Sequence, residues 1–195
     1  MGSKPLSDLA DDHEPPRRLD AGSVSAALSL VGAEVSRALG LVEAVEVEQL
    51  GATLERPRGR RFFTGQGRSG FVARMAAMRL MQLGGRAHVV GEATTPAFGE
   101  QDVLVVISAS GATPTSLLHA QQAHALGGTV CCLTTDRSSP IALLSEPCVI
   151  LSTEGSVQFR QVLFTQAALL LLDGLALALA AGDTATQWRK HANIQ

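Results

Sequence analysis

The chain has no tyrosine and one tryptophan, and aromatic residues make up only 4% of it. Its packing therefore rests on alanine, leucine and valine, the bulk of a 46% hydrophobic fraction. It also lacks a surplus of positive charge. The net charge is -2, so nothing is available to neutralise a run of phosphates, and nucleic acid is excluded as a partner. Cysteine is scarce: Cys131, Cys132 and Cys148 sit in apolar runs at spacings that fit no zinc pattern. No metal site is expected, and an odd number of buried thiols suits a reducing, cytoplasmic setting. Residues 1–20 are polar and lack the apolar core of a signal peptide. They read as a flexible arm. The remaining residues suffice for one sizeable core and not for two domains.

Long apolar runs are absent but for one. Residues 162–181 are almost wholly apolar and approach the length that crosses a bilayer. Gln166 and Asp173 interrupt the run, and basic residues do not bracket both its ends. A helix buried all round, in a core or at a subunit contact, is expected instead, with no membrane partner.

Residues 21–54 carry Val24, Ala27, Leu28, Val31, Val35 and Leu39 at helical spacing. They predict one long amphipathic helix or two, with one face packed on the body or on another subunit. The rhythm changes at Arg60. Strand-length apolar runs at 61–64, 87–90, 102–108, 129–133 and 148–151 alternate with helical segments at 69–83, 113–126 and 139–145. Continuous apolar strands between helices predict an α/β three-layer sandwich. Its centre is a mainly five-stranded parallel sheet, flanked by the long N-terminal helix and the apolar C-terminal helix. Met75, Met78 and Met81 are expected to fill its core. Ligands in such sheets bind at the carboxyl ends of the strands.

Two loops at such ends carry the chemistry. After the 102–108 strand comes Ser108-Ala109-Ser110-Gly111-Ala112-Thr113, then a helix. A helix N-terminus offers unpaired N–H groups and partial positive charge, and three hydroxyls add donors around it. That makes a phosphate site without lysine. The bland alternative is ordinary N-capping. The first strand ends in Gly65-Gln66-Gly67-Arg68-Ser69-Gly70, with Glu92 standing 22 residues after Gly70. This spacing resembles a dinucleotide fingerprint. Two anion-binding loops side by side suit a small sugar phosphate better, with Gly67, Arg68 and Ser69 touching the sugar or its phosphate. Glu92, at a strand's carboxyl end, lines the pocket or caps Thr94-Thr95.

Gly-Gln-Gly-Arg-Ser-Gly at 65–70, Gly91-Glu92-Ala93-Thr94-Thr95-Pro96 and the Ser108–Thr113 loop occur in an order and spacing that resemble the sugar isomerase (SIS) domain. The terminal Arg189-Lys190-His191-Ala192-Asn193-Ile194-Gln195 is similar to the ending of its 6-phospho-3-hexuloisomerase branch. The resemblance spans about residues 25–195 and implies a single SIS domain over 21–195. It implies an enzyme that interconverts a 3-keto hexose 6-phosphate and fructose 6-phosphate through an enediol, with no metal or nucleotide cofactor. It also implies a homo-oligomer, tetramer or dimer, with sites at subunit contacts and the C-terminal tail reaching a neighbour's site. SIS domains in regulators usually accompany a DNA-binding domain; the short segment before the first helix leaves no room for one, which favours a free-standing enzyme over a sugar-phosphate sensor.

One departure bears on mechanism. The resemblance implies a glutamate base early in the last helix, where this chain reads Phe164-Thr165-Gln166. Threonine is no base at neutral pH. Glu154, in the loop before that helix, and His191, poised near neutrality, are the candidate catalytic residues. A different substrate, or none, is the third possibility.

Overall fold

The structure is a computed structural model that describes residues 21–56 and 58–180. The arm at 1–20 and the tail with Trp188 and His191 lie outside the described residues. The N-terminal stretch forms two helices, α1 (Ala21–Gly40) and α2 (Ala44–Glu55), bent by 81° at the break between them. Then follow β1 (Arg61–Gly65), α3 (Arg68–Gln82), β2 (Ala87–Val89), β3 (Val103–Ile107), α4 (Pro114–Ala125), β4 (Thr129–Thr134), β5 (Cys148–Ile150) and α5 (Arg160–Leu179). The predicted helix over 139–145 contracts to one 3-10 turn, Ala142–Leu144.

All five strands are parallel, in the order β2-β1-β3-β4-β5. Alternate strand residues face opposite layers. Phe63, Val103, Val105, Ile107, Cys131, Leu133 and Val149 join one core with α3, α5 and parts of α1 and α2. Phe62, Leu104, Val106, Val130 and Cys132 join the other with α4 and the 3-10 turn. β3 is buried at every position, as its unbroken Val-Leu-Val-Val-Ile run demands. This is the three-layer sandwich that the alternation predicts.

α5 is long and apolar enough to cross a membrane by length and composition, at a mean hydropathy of 2.0. In this fold it is a packed helix. Leu163, Phe164, Ala167, Ala168, Leu171 and Leu172 are buried against α3, α1 and α2. The methionines of α3 are a correction. Met75, Met78 and Met81 are 40%, 45% and 42% exposed. The buried stripe of α3 is Val72, Ala73, Ala76, Ala77 and Leu80. These small residues let the helix lie close on the sheet, and the methionines fall on its outer side with Phe71. The first half of α1 is likewise exposed; Glu34, Val35 and Ala38 are buried against the body, and Leu39 packs on the core while partly exposed.

The β5 edge of the sheet is covered by α2. Glu46 of α2 accepts the Ile150 N–H at 3.3 Å through Oε2, and its Oε1 pairs with Arg137. At the amino end of β3, Asp102 is 3% exposed and holds the Arg60 guanidinium at 2.7 Å.

Candidate functional site

The strand order reverses between β1 and β3: β2 lies outside β1, and β3 begins the run to the other edge. A crevice opens at such a switch point, above the carboxyl ends of the two strands. Both chemistry-bearing loops start there.

β1 ends at Gly65 and turns into α3. A Cβ on Gly65 would stand 2.7 Å from the Ser69 carbonyl oxygen and 2.9 Å from that of Ile107. Only glycine lets the turn close this tightly. Gly67 caps α3 at a φ of +57°, and no side chain bonds the helix end. On the other strand, α4 starts at Pro114 with Thr113 as its cap residue, and the Thr113 side chain makes no capping bond. The hydroxyls cluster instead. Ser108 Oγ lies 3.1 Å and Ser110 Oγ 3.5 Å from Thr113 Oγ1, and Ser110 Oγ accepts the Ala112 N–H at 3.3 Å. Two helix N-termini thus face one crevice, and their dipoles make it favourable for an anion.

Gly111 holds this loop to the body. Its φ is +57°, its carbonyl accepts the Ile141 N–H at 2.9 Å, and a Cβ would meet Ser139 Oγ at 1.9 Å. Gly111→Ala is expected to cost about 2 kcal/mol or more, left-handed strain plus overpacking, and to weaken anion binding at the loop. Denaturant unfolding and phosphate titration of the variant check both.

The crevice is a cavity of about 360 Å³. Gly67, Arg68, Ser69, Ser108, Ser110 and Thr113 line it together. Gln66, Ile107 and Ala109 complete its floor, and Gln161, Phe164 and Thr165 of α5 form its far wall. The Thr165 hydroxyl bonds back to the carbonyls of Gln161 and Val162, both at 3.0 Å. Arg68 is the one charged side chain in the lining, and its guanidinium sits 5.4 Å from the centre of the Phe159 ring. Gln161 and Phe159 were not singled out from sequence. The legible signal for Gln161 was its position four residues before Thr165, which puts both on one helical face.

Other candidates stand apart. Glu92 is exposed, pairs with Arg74 at 3.0 Å and does not line the cavity; its carbonyl accepts the Thr95 N–H. Glu154 is exposed in the turn before α5 and is also outside the lining. His191 lies outside the described residues. Among the described residues, the lining therefore carries neither carboxylate nor imidazole. His119 bonds Thr64 Oγ1 at 2.8 Å away from the cavity, and burial lowers its pKa.

The loop that carries Glu154 is held from a distance. Glu34 on α1 is 5% exposed. It accepts hydrogen bonds from the Val157 N–H at 2.8 Å, Ser156 Oγ at 2.7 Å and Gln158 Nε2 at 2.8 Å. These bonds, the backbone N–H first, lower its pKa from 4.5 to about 2. The stability it contributes is full above pH 4.5 and lost as the pH falls toward 2. Glu34→Gln is expected to flatten the acid-denaturation profile across that window, and thermal melts at stepped pH read it.

Comparison with known proteins agrees with this geometry. Residues 54–178 match the SIS domain family. The chain belongs to the SIS domain family. A 3-hexulose-6-phosphate isomerase of Mycobacterium gastri is 35% identical over 86% of this chain and 89% of its own length. One of the same name from Bacillus subtilis (strain 168) is 35% identical over 69% of this chain and 79% of its own. Among solved structures, a Methanococcus jannaschii protein whose structure was taken to imply 3-hexulose-6-phosphate isomerase function superposes with a TM-score of 0.77. It covers 87% of this chain and 99% of its own at 23% identity, a likeness of fold. The cavity at the switch point is thus a feature of this SIS domain's own loops, Gly65–Gly70 and Ser108–Thr113.

Proposed function

We propose that the protein is a 6-phospho-3-hexuloisomerase that interconverts D-arabino-hex-3-ulose 6-phosphate and D-fructose 6-phosphate. The single observation that carries the reading is the cavity in which the Ser108, Ser110 and Thr113 hydroxyls meet the N-terminal turns of α3 and α4. The relatives named above carry the same activity in their names over most of their length. The phosphate sits against Ser108, Ser110 and Thr113, on the turn that Gly111 makes possible. Gly67, Arg68 and Ser69 face the sugar, and Glu92 orders the neighbouring 91–96 turn.

A base removes the C3 proton of fructose 6-phosphate. An enediol forms across C2 and C3, the proton returns at C2, and the hydroxyl proton passes from O3 to O2. No metal or nucleotide takes part. Glu154 or His191 supplies the base. The domain is a single one over residues 21–195, and it works in the cytoplasm. It works as a homo-oligomer, tetramer or dimer, with sites at subunit contacts. The exposed Val24 and Leu28 of α1 and Phe71, Met75 and Met78 of α3 support association through these helices.

The test is hydrogen exchange. In deuterated water, fructose 6-phosphate with the enzyme is expected to lose its C3 proton signal by NMR. Thr165 in the cavity wall favours a second reading, an isomerase of a different sugar phosphate. Exchange at C1 alone would move the assignment to an aldose–ketose isomerase, and no exchange with any hexose or pentose phosphate would sink both readings.

A further inference from the structure

Three thiols lie in or beside the two last strands, and the isomerase chemistry uses none of them. β4 and β5 are paired in parallel with Cys132 opposite Cys148. Directly opposed residues in a parallel pair point to the same face, with Cα atoms about 4.8 Å apart, inside the window a disulfide tolerates. The sulfurs stand 3.2 Å apart, with the Cys132 S–H donating to Cys148 Sγ. Cys132 is fully buried and Cys148, on the edge strand, is half-buried. Cys131 belongs to the opposite core, and its sulfur approaches only the Glu146 carbonyl, at 3.9 Å.

We infer that Cys132 and Cys148 form a peroxide-reactive dithiol that closes to a reversible disulfide between β4 and β5. The roles are unequal. The bond from Cys132 lowers the pKa of Cys148; burial and the Glu46 carboxylate oppose this, and the Arg137 guanidinium assists it. Cys132 is raised by the same bond and by burial. Burial pushes Cys131 up to about 12, which leaves it inert. The Cys148 thiolate attacks one oxygen of hydrogen peroxide. The O–O bond breaks, hydroxide leaves, and Cys148 becomes a sulfenic acid. Cys132 then gives up its proton and attacks the Cys148 sulfur, and the sulfenic oxygen departs as water. Two thiols lose two electrons and two protons, and one peroxide becomes two waters.

This inference is independent of the isomerase reading. The full chain, reduced and then treated with hydrogen peroxide, is denatured, alkylated and analysed by peptide mass spectrometry. Expected is one alkylated thiol, at Cys131, with 132 and 148 recovered as one cross-linked peptide pair in a monomeric chain. Dithiothreitol should restore all three thiols. In Cys132→Ser, dimedone should trap Cys148 as its sulfenic acid. In Cys148→Ser, no thiol should be lost, and Cys131→Ser should react like the parent. Three free thiols after peroxide, a bond through Cys131, a bond between chains, or Cys148 driven to sulfinic acid while Cys132 stays free would each overturn it.

Discussion

A chain in which Ser110 and Thr113 are both alanine is expected to bind fructose 6-phosphate about 100-fold more weakly or worse, while folding as before. A hydrogen bond to a charged group contributes about 1.5–3 kcal/mol, and the double change removes two from the phosphate. The anion cannot easily compensate by shifting, because the loop's remaining hydroxyl, Ser108, is 4% exposed and its backbone N–H is bonded to the Leu133 carbonyl of β4. Stability should be spared. Ser110 is exposed, Thr113 is half-buried, and neither hydroxyl caps α4. Calorimetric titration with inorganic phosphate and with the sugar phosphate reads the loss separately for the two ligands. Binding within a few-fold of the parent would place the phosphate elsewhere.

The second large effect concerns the base. Glu154→Gln or His191→Ala is expected to lower kcat by about 100-fold or more, the usual contribution of a positioned proton-transfer group, with KM little changed. The described lining of the cavity holds no group that accepts a proton at neutral pH. The Thr165 hydroxyl is committed to its own helix. Both proposed bases, Glu154 and His191, stand outside this described lining. If Glu154 is the base, Glu34→Gln should lower kcat with it, because Glu34 fixes that loop. If His191 is the base, Glu34→Gln should leave kcat unchanged. Full turnover in both Glu154→Gln and His191→Ala would remove both candidates.

The sheet was legible because its signal is local. Val103–Ile107 is an unbroken apolar run, and the Gly and Ser/Thr turns mark the ends of β1 and β3. Local patterns also explain the misreading of α3. Methionines at 75, 78 and 81 keep helical spacing, but so do the alanines and valine that take the buried side. Hydrophobicity alone does not say which stripe turns inward. The role of Glu34 was not legible at all. Its partners lie more than 120 residues away in the chain, and nothing in a helix sequence marks one glutamate as the anchor of a distant loop. The cavity wall was half visible: Thr165 stood out against the family pattern and Gln161 shares its helical face, while Phe159, the ring beside Arg68, acquires its role only once the start of α5 is laid beside α3.

Glu46 has a consequence for how copies of this chain meet. An edge strand with free N–H groups invites a foreign strand to add to the sheet, the first step toward fibrous aggregates. Here the Ile150 N–H is already taken by the Glu46 carboxylate, and the opposite edge, β2, is only three residues long. Among the described residues, both edges of the sheet therefore offer a foreign strand little to pair with, which guards the sheet against runaway polymerisation.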